Sequence, residues 1–117
     1  MDDKSRKRLE DILKAINEIE YFYSQRPKRF DAFVNDLFYL RAVQMNIAII
    51  GEAVAQLLKV QPDIAISSSR KIVSTRNYVI HGYDSLRPEI LWAIVVKDLT
   101  ILKQEILTLL STETTIP

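Results

Sequence analysis

A chain of 117 residues, 48% apolar and 26% charged, can build one core of globular size, and that mixture excludes a disordered polymer. Sixteen Lys and Arg against fifteen Asp and Glu leave a net charge of +1, so any nucleic-acid surface must be a local patch. The absence of cysteine excludes a disulfide framework, a thiolate zinc site and a cysteine nucleophile, and it suits a reducing cytosol.

The N-terminus, MDDKSRKRLEDILK, is charged throughout and does not read as a signal peptide. Asp2 or Asp3 can cap a first helix running to about Gln25, with Leu9, Ile12, Leu13, Ile16, Ile19 and Tyr23 recurring at helical steps. Arg26-Pro27 ends it, because a residue before proline is pushed out of the helical region. A second helical stretch is expected from Asp31 to about Lys59, with a bend near Asp36. Its inward residues read as Phe33, Leu37, Leu40, Ile47, Ile50, Val54 and Leu57. Within it, "NIAIIGEAVAQLL" (46–58) is the most apolar run; Glu52 and Gln56 interrupt it, and it is too short to span a bilayer. Gly51 costs that helix about 1 kcal/mol relative to alanine, and close helix packing is the simplest reason for it.

"QPDIAISSS" (61–69) is a connector in which Ser67 or Ser68 can cap a third helix, Arg70 to about His81, with Gly82 as its C-terminal cap. Pro88 can open the fourth helix, whose stripe is Ile90, Leu91, Ile94, Val95, Leu99, Leu102, Ile106 and Leu109. With two glycines, four prolines, no repeat and no strand pair, the chain reads as one all-α domain over 1–117. The expected architecture is an antiparallel up-and-down four-helix bundle. A soluble, cytoplasmic protein with no membrane contact follows from the same reading.

Two glycines cannot supply a phosphate-binding glycine loop, and one histidine without cysteine does not make a zinc site. What remains is "RNYVIHGY" (76–83), which holds the only histidine. Asn77 and His81 are i, i+4 neighbours, so Asn77 can orient the imidazole; Arg76 and His81 sit about 140° apart around a helix. An imidazole that moves protons and a guanidinium that fits phosphate oxygens suit cleavage of a phosphodiester by the ribose 2′-hydroxyl, without metal. That reaction wants an acid and a base, so a single histidine calls for a two-fold dimer in which Arg76 of one chain works with His81 of the other. The residues alone leave a second reading open: His81 as a helix-ending residue packed on Tyr83. Arg70 and Lys71 can add a basic face beside the site, and Arg26, Lys28 and Arg29 form another patch whose default is a solvated surface.

The pattern Arg, four residues, His, one residue, Tyr resembles the HEPN superfamily, specifically its HepT-like toxin branch. "RLEDILKAINEIE" (8–20), "NIAIIGEAVAQL" (46–57) and "ILWAIVVKDLTILKQEI" (90–106) resemble that family's helices as well. The resemblance implies a homodimeric all-α bundle with the motif at the interface. It implies a metal-independent endoribonuclease needing no cofactor, with RNA as substrate, the toxin of a two-gene toxin–antitoxin pair. On it, Arg76 contacts phosphate, His81 does acid/base work, Asn77 supports them, and Tyr83 accepts AMP from an MntA-like nucleotidyltransferase antitoxin. Gly82 stands where relatives often carry an acidic residue. Two other readings compete: a non-catalytic helical partner that binds nucleotide or substrate for a nucleotidyltransferase, and a purely structural dimer.

Overall fold

The computed structural model describes residues 1–81 and 87–114, with the side chains of 80, 81, 113 and 114 outside the description. Helix α1 spans Asp3–Ser24, and the short α2 spans Phe30–Val34. The long central helix α3 spans Leu37–Val60, and α4 spans Ser69–His81. After Pro88 the chain runs as α5 (Pro88–Ala93), a π-helical turn (Ile94–Asp98) and α6 (Leu99–Thr114). The described residues are thus all-helical, as the periodicity predicts.

Contacts along each helix pair run in opposite directions. Tyr23 meets Trp92 at one level of the bundle, and Glu20 meets Lys103 further along the last helix. Lys71 pairs with Asp98, whereas Ser67, earlier in the chain, is held by Glu105, later in it. Helix α3 lies between α1 and α4, and α1 also packs on α6. The bundle is antiparallel, built round a core of Leu9, Ile12, Ile16 and Ile19 from α1, Ile47, Ile50, Val54 and Leu57 from α3, Ile72 from α4, and Leu91, Ile94, Leu102 and Ile106 from the last helix.

The expected cap of α1 is present: the Asp2 carboxylate accepts from the Ser5 backbone N–H at 2.8 Å. The single helix expected from Asp31 to Lys59 is instead two. Asp36 takes an extended conformation, its carboxylate accepts from the Tyr39 backbone N–H at 3.0 Å, and a new helix starts there. Restarting resets the helical phase, so Leu37, read as inward, is exposed, and the neighbouring Phe38 more so. Ser68 does not cap α4 with its side chain; its buried hydroxyl has no partner among the described residues, and only its carbonyl accepts, from Ile72. Ser67 is held differently, its N–H donating to the Glu105 carboxylate at 2.9 Å. Pro88 opens α5 as expected, and the π turn lets the Leu99 N–H reach back five residues to Ile94. Gly82, expected as a cap, lies outside the described residues.

Helix α3 is long and apolar enough to cross a membrane on length and composition alone, longer than the run at 46–58 suggests. Its apolar residues pack on α1 and α4 instead, and 44% of its most apolar window is buried inside the protein.

The α1–α3 corner rests on Arg26. Its Nε donates to Asp36 at 2.8 Å while its guanidinium lies over the rings of Phe22 and Tyr39, 5.1 and 5.2 Å from their centroids. The cation read as part of a solvated patch is therefore structural. Tyr39 is buried edge-on to Phe33, and burial pushes its phenol up to about 12. The Tyr39 backbone N–H, then Arg26, hold the Asp36 carboxyl below the usual range. A depressed carboxyl stabilises the fold above its unfolded pKa and loses that contribution as pH falls through the lower folded value. Replacing Asp36 by Ala should lower Tm by roughly 5 °C at neutral pH, and the gap should narrow as pH falls through the lowered carboxyl pKa. Melting curves of the two proteins across pH check this; a gap that persists in acid would show that the carboxylate charge is not responsible.

Candidate active site

Arg76 lies in the middle of α4, and its side chain points at α3. A Cβ on Gly51 would sit 2.2 Å from Arg76 Cβ, 2.8 Å from its Cγ and 3.2 Å from the Ile72 carbonyl oxygen. No side chain fits in that space, so the close packing expected of Gly51 is real, and the group packed there is the arginine stem itself. One residue further along α3, Glu52 receives the head: Arg76 Nη1 donates to Glu52 Oε2 at 2.8 Å. The other carboxylate oxygen accepts from Gln56 Nε2 at 2.9 Å.

The Arg76 side chain is only 19% exposed, and its Nε is buried with no partner among the described residues. Buried nitrogens of this kind are uncommon in folded proteins. The Glu52 carboxyl is held below its ordinary range by the Gln56 hydrogen bond first, then by the positive charges of Arg76, Lys59 and Arg8. It is an anion at neutral pH, and several cations face it. A shallow groove between α1 and α3, lined by Arg8, Asp11, Ile49 and Glu52, leads away from the pair.

Of the other residues singled out in the sequence, Asn77 follows Arg76 on α4 and is exposed. His81 is the last residue of that helix, so its backbone keeps the i, i+4 relation to Asn77 and the angle of about 140° to Arg76. The His81 side chain and Tyr83 lie outside the described residues. Arg70 is exposed at the start of α4. Lys71 is not gathered toward Arg76; its ammonium is paired with Asp98 Oδ2 at 2.7 Å, on the π turn of the last helix. Asp98 is itself buried, and its lysine partner half exposed.

Glu52, Gln56 and Asp98 were not anticipated as partners. Glu52 and Gln56 interrupt the most apolar run of the chain, which marks them as unusual, but Arg76 is 24 residues away and no local pattern links them. Asp98 lies between Ile94 and Val95 on the inward face of the last helix, so its burial follows the same spacing as the apolar stripe, but its partner Lys71 is 27 residues away.

A sequence model of the family described as ribonuclease HepT-like matches residues 12–109 of this chain, which include every residue discussed here except Arg8 and Asp11. No curated protein and no solved structure matches the chain.

Gly51→Ala should destabilise the protein by about 1–3 kcal/mol in urea denaturation, overpacking outweighing the gain in helix propensity of about 1 kcal/mol. The nearest obstructing atom is Arg76 Cβ, so adding Arg76→Ala should not restore stability, whereas adding Arg76→Gly should recover part of it. Full stability of Gly51→Ala alone would disprove the contact.

Proposed function

This chain belongs to the HepT-like ribonuclease family, and from that premise we propose that it is a metal-independent endoribonuclease, the cytoplasmic toxin of a two-gene toxin–antitoxin pair. The observation that carries the reading is Arg76, a largely buried arginine whose Nε has no partner among the described residues, on the same helix as Asn77 and His81. A charge placed so is better suited to binding an anion than to stabilising a fold.

In the reaction, the imidazole of His81 takes the proton from a ribose 2′-hydroxyl, and that oxygen attacks the adjacent phosphorus. The phosphorus–O5′ bond breaks, and the leaving 5′-oxygen takes a proton from an acid. The strand ends as a 2′,3′-cyclic phosphate and a 5′-hydroxyl, with no oxidant or metal consumed. Arg76 stabilises the charge that builds on the phosphoryl oxygens, and Asn77 orients the imidazole. Arg70 and Lys71 supply weaker contacts to the RNA backbone, Lys71 sharing its charge with Asp98.

One chain carries one histidine, and a homodimer supplies the second. Its surface is the outer face of α3, where Phe38, Met45 and Ile49 are exposed. At 100° per residue these three and Glu52 fall within about 60° of one another, so the apolar stripe runs directly to the Arg76 pair. A two-fold contact along it brings two Arg76 sites together. An MntA-like nucleotidyltransferase would silence the toxin by placing AMP on Tyr83, whose added anion and adenine compete with RNA for the cation.

Protein made without a partner enzyme, and confirmed unmodified by intact mass, should cleave RNA in the presence of EDTA. His81→Ala should reduce the rate by about 10²–10⁴-fold, the range expected for a lost general acid–base group. Silence from a folded, unmodified wild-type dimer would move the assignment to a non-catalytic binding partner of a nucleotidyltransferase. Met45→Glu should sediment as a monomer and lose cleavage together with dimerisation; a dimer that persists would place the interface elsewhere.

A further inference from the structure

We infer that Glu52 is a positioning residue for Arg76, and that Gly51-Glu52 on α3 forms a seat that aims the guanidinium at the RNA phosphate. The inference deepens the proposed ribonuclease site and rests on that reading for its effect on cleavage.

Three contacts define the seat. The arginine stem lies in the space that Gly51 leaves empty, where any Cβ would fall 2.2 Å from Arg76 Cβ. The head is then delivered to the next residue of the same helix, where Glu52 Oε2 accepts from Nη1 at 2.8 Å. The carboxylate is steadied in turn, because Gln56, one turn further along α3, donates to Oε1 at 2.9 Å. Both carboxylate oxygens are therefore used, and the direction of the Arg76 head is set from α3 rather than by the rotamers of α4.

The arrangement is poorly explained as a stabilising device. Glu52 is half exposed, and ion pairs at such positions add little to stability. A glycine in a helix interior weakens that helix, and the buried Nε has no partner among the described residues. Local rules broken together at one place are a mark of function. Glu52 commits one end of the guanidinium and leaves the rest of its fork for an anion, which selects the approach of a phosphate that can be met by the remaining donors. Positioned charge of this kind acts on the transition state more than on substrate binding.

The test compares Glu52→Ala and Glu52→Gln with wild type, all unmodified at Tyr83, by steady-state RNA cleavage and by the Arg76 Nε–Hε signal in NMR. That signal is assigned by its loss in Arg76→Lys. Glu52→Ala should lower kcat about tenfold or more without raising KM, since removing a carboxylate does not weaken RNA binding. Glu52→Gln keeps an oxygen that can accept from Nη1 and should recover most of the rate. In wild type the Nε–Hε signal should be distinct and slow to exchange; in Glu52→Ala it should broaden or merge with free arginine, while Tm changes little. If both variants instead raise kcat/KM, Glu52 competes with phosphate for Arg76 and the inference is wrong. An Nε–Hε signal unchanged in Glu52→Ala overturns it as well. Wild type that cleaves no RNA overturns the ribonuclease assignment alone, because the NMR comparison still decides whether Glu52 seats the arginine.

Discussion

The contact between Arg76 and Gly51 sets how near α4 comes to α3, and much of the bundle follows from it. Two helix backbones approach this closely only where one contributes no side chain, and α3 contributes none at Gly51. Ile72, one turn before Arg76, is then buried against the same helix, and its carbonyl is also within 3.2 Å of the missing Cβ. Helix α3 is thereby held on one side by α4 and on the other by α1, with its outer face left to solvent. A charged side chain takes the place usually filled by an apolar one, so the packing and the chemistry of this protein share one set of atoms.

Three further ion pairs work at the ends and corners of that frame. Arg26 ties the end of α1 to the cap of α3 through Asp36 and stacks on Phe22 and Tyr39. Lys71 and Asp98 join α4 to the last helix, and Lys103 joins that helix to α1 through Glu20 at 2.6 Å. The two lysine pairs link elements far apart in sequence, and each of the three uses a cation that composition alone counts as free surface charge. Electrostatic attraction of RNA to a chain with a net charge near zero depends on the local field and not on the total.

The π turn at Ile94–Asp98 has a related effect. Asp98 closes that turn on the buried face of the helix, and Lys71 of α4 meets it there. Lys71 thereby belongs as much to the framework between α4 and the last helix as to any nucleic-acid surface.

Much of the fold was legible because helix periodicity is local. The stripe Leu9, Ile12, Ile16 and Ile19 is wholly buried, Asp2 caps α1, and Pro88 opens α5, each as three- and four-residue spacing and capping chemistry predict. The break at Asp36 was visible only as a possible bend, because a capping aspartate and a mid-helix aspartate look alike until Arg26 and Tyr39 are placed beside it. The exposure of Leu37 follows from that break, and the loss of a Ser68 side-chain cap follows from burial of its hydroxyl. For the site, the order of Arg76, Asn77 and His81 along one helix and the family they belong to are properties of the sequence alone, since both rest on residue type and spacing. That Arg76 lies on Gly51 and is held by Glu52 was decided by tertiary structure, because those partners are more than twenty residues away and meet only when α4 docks on α3.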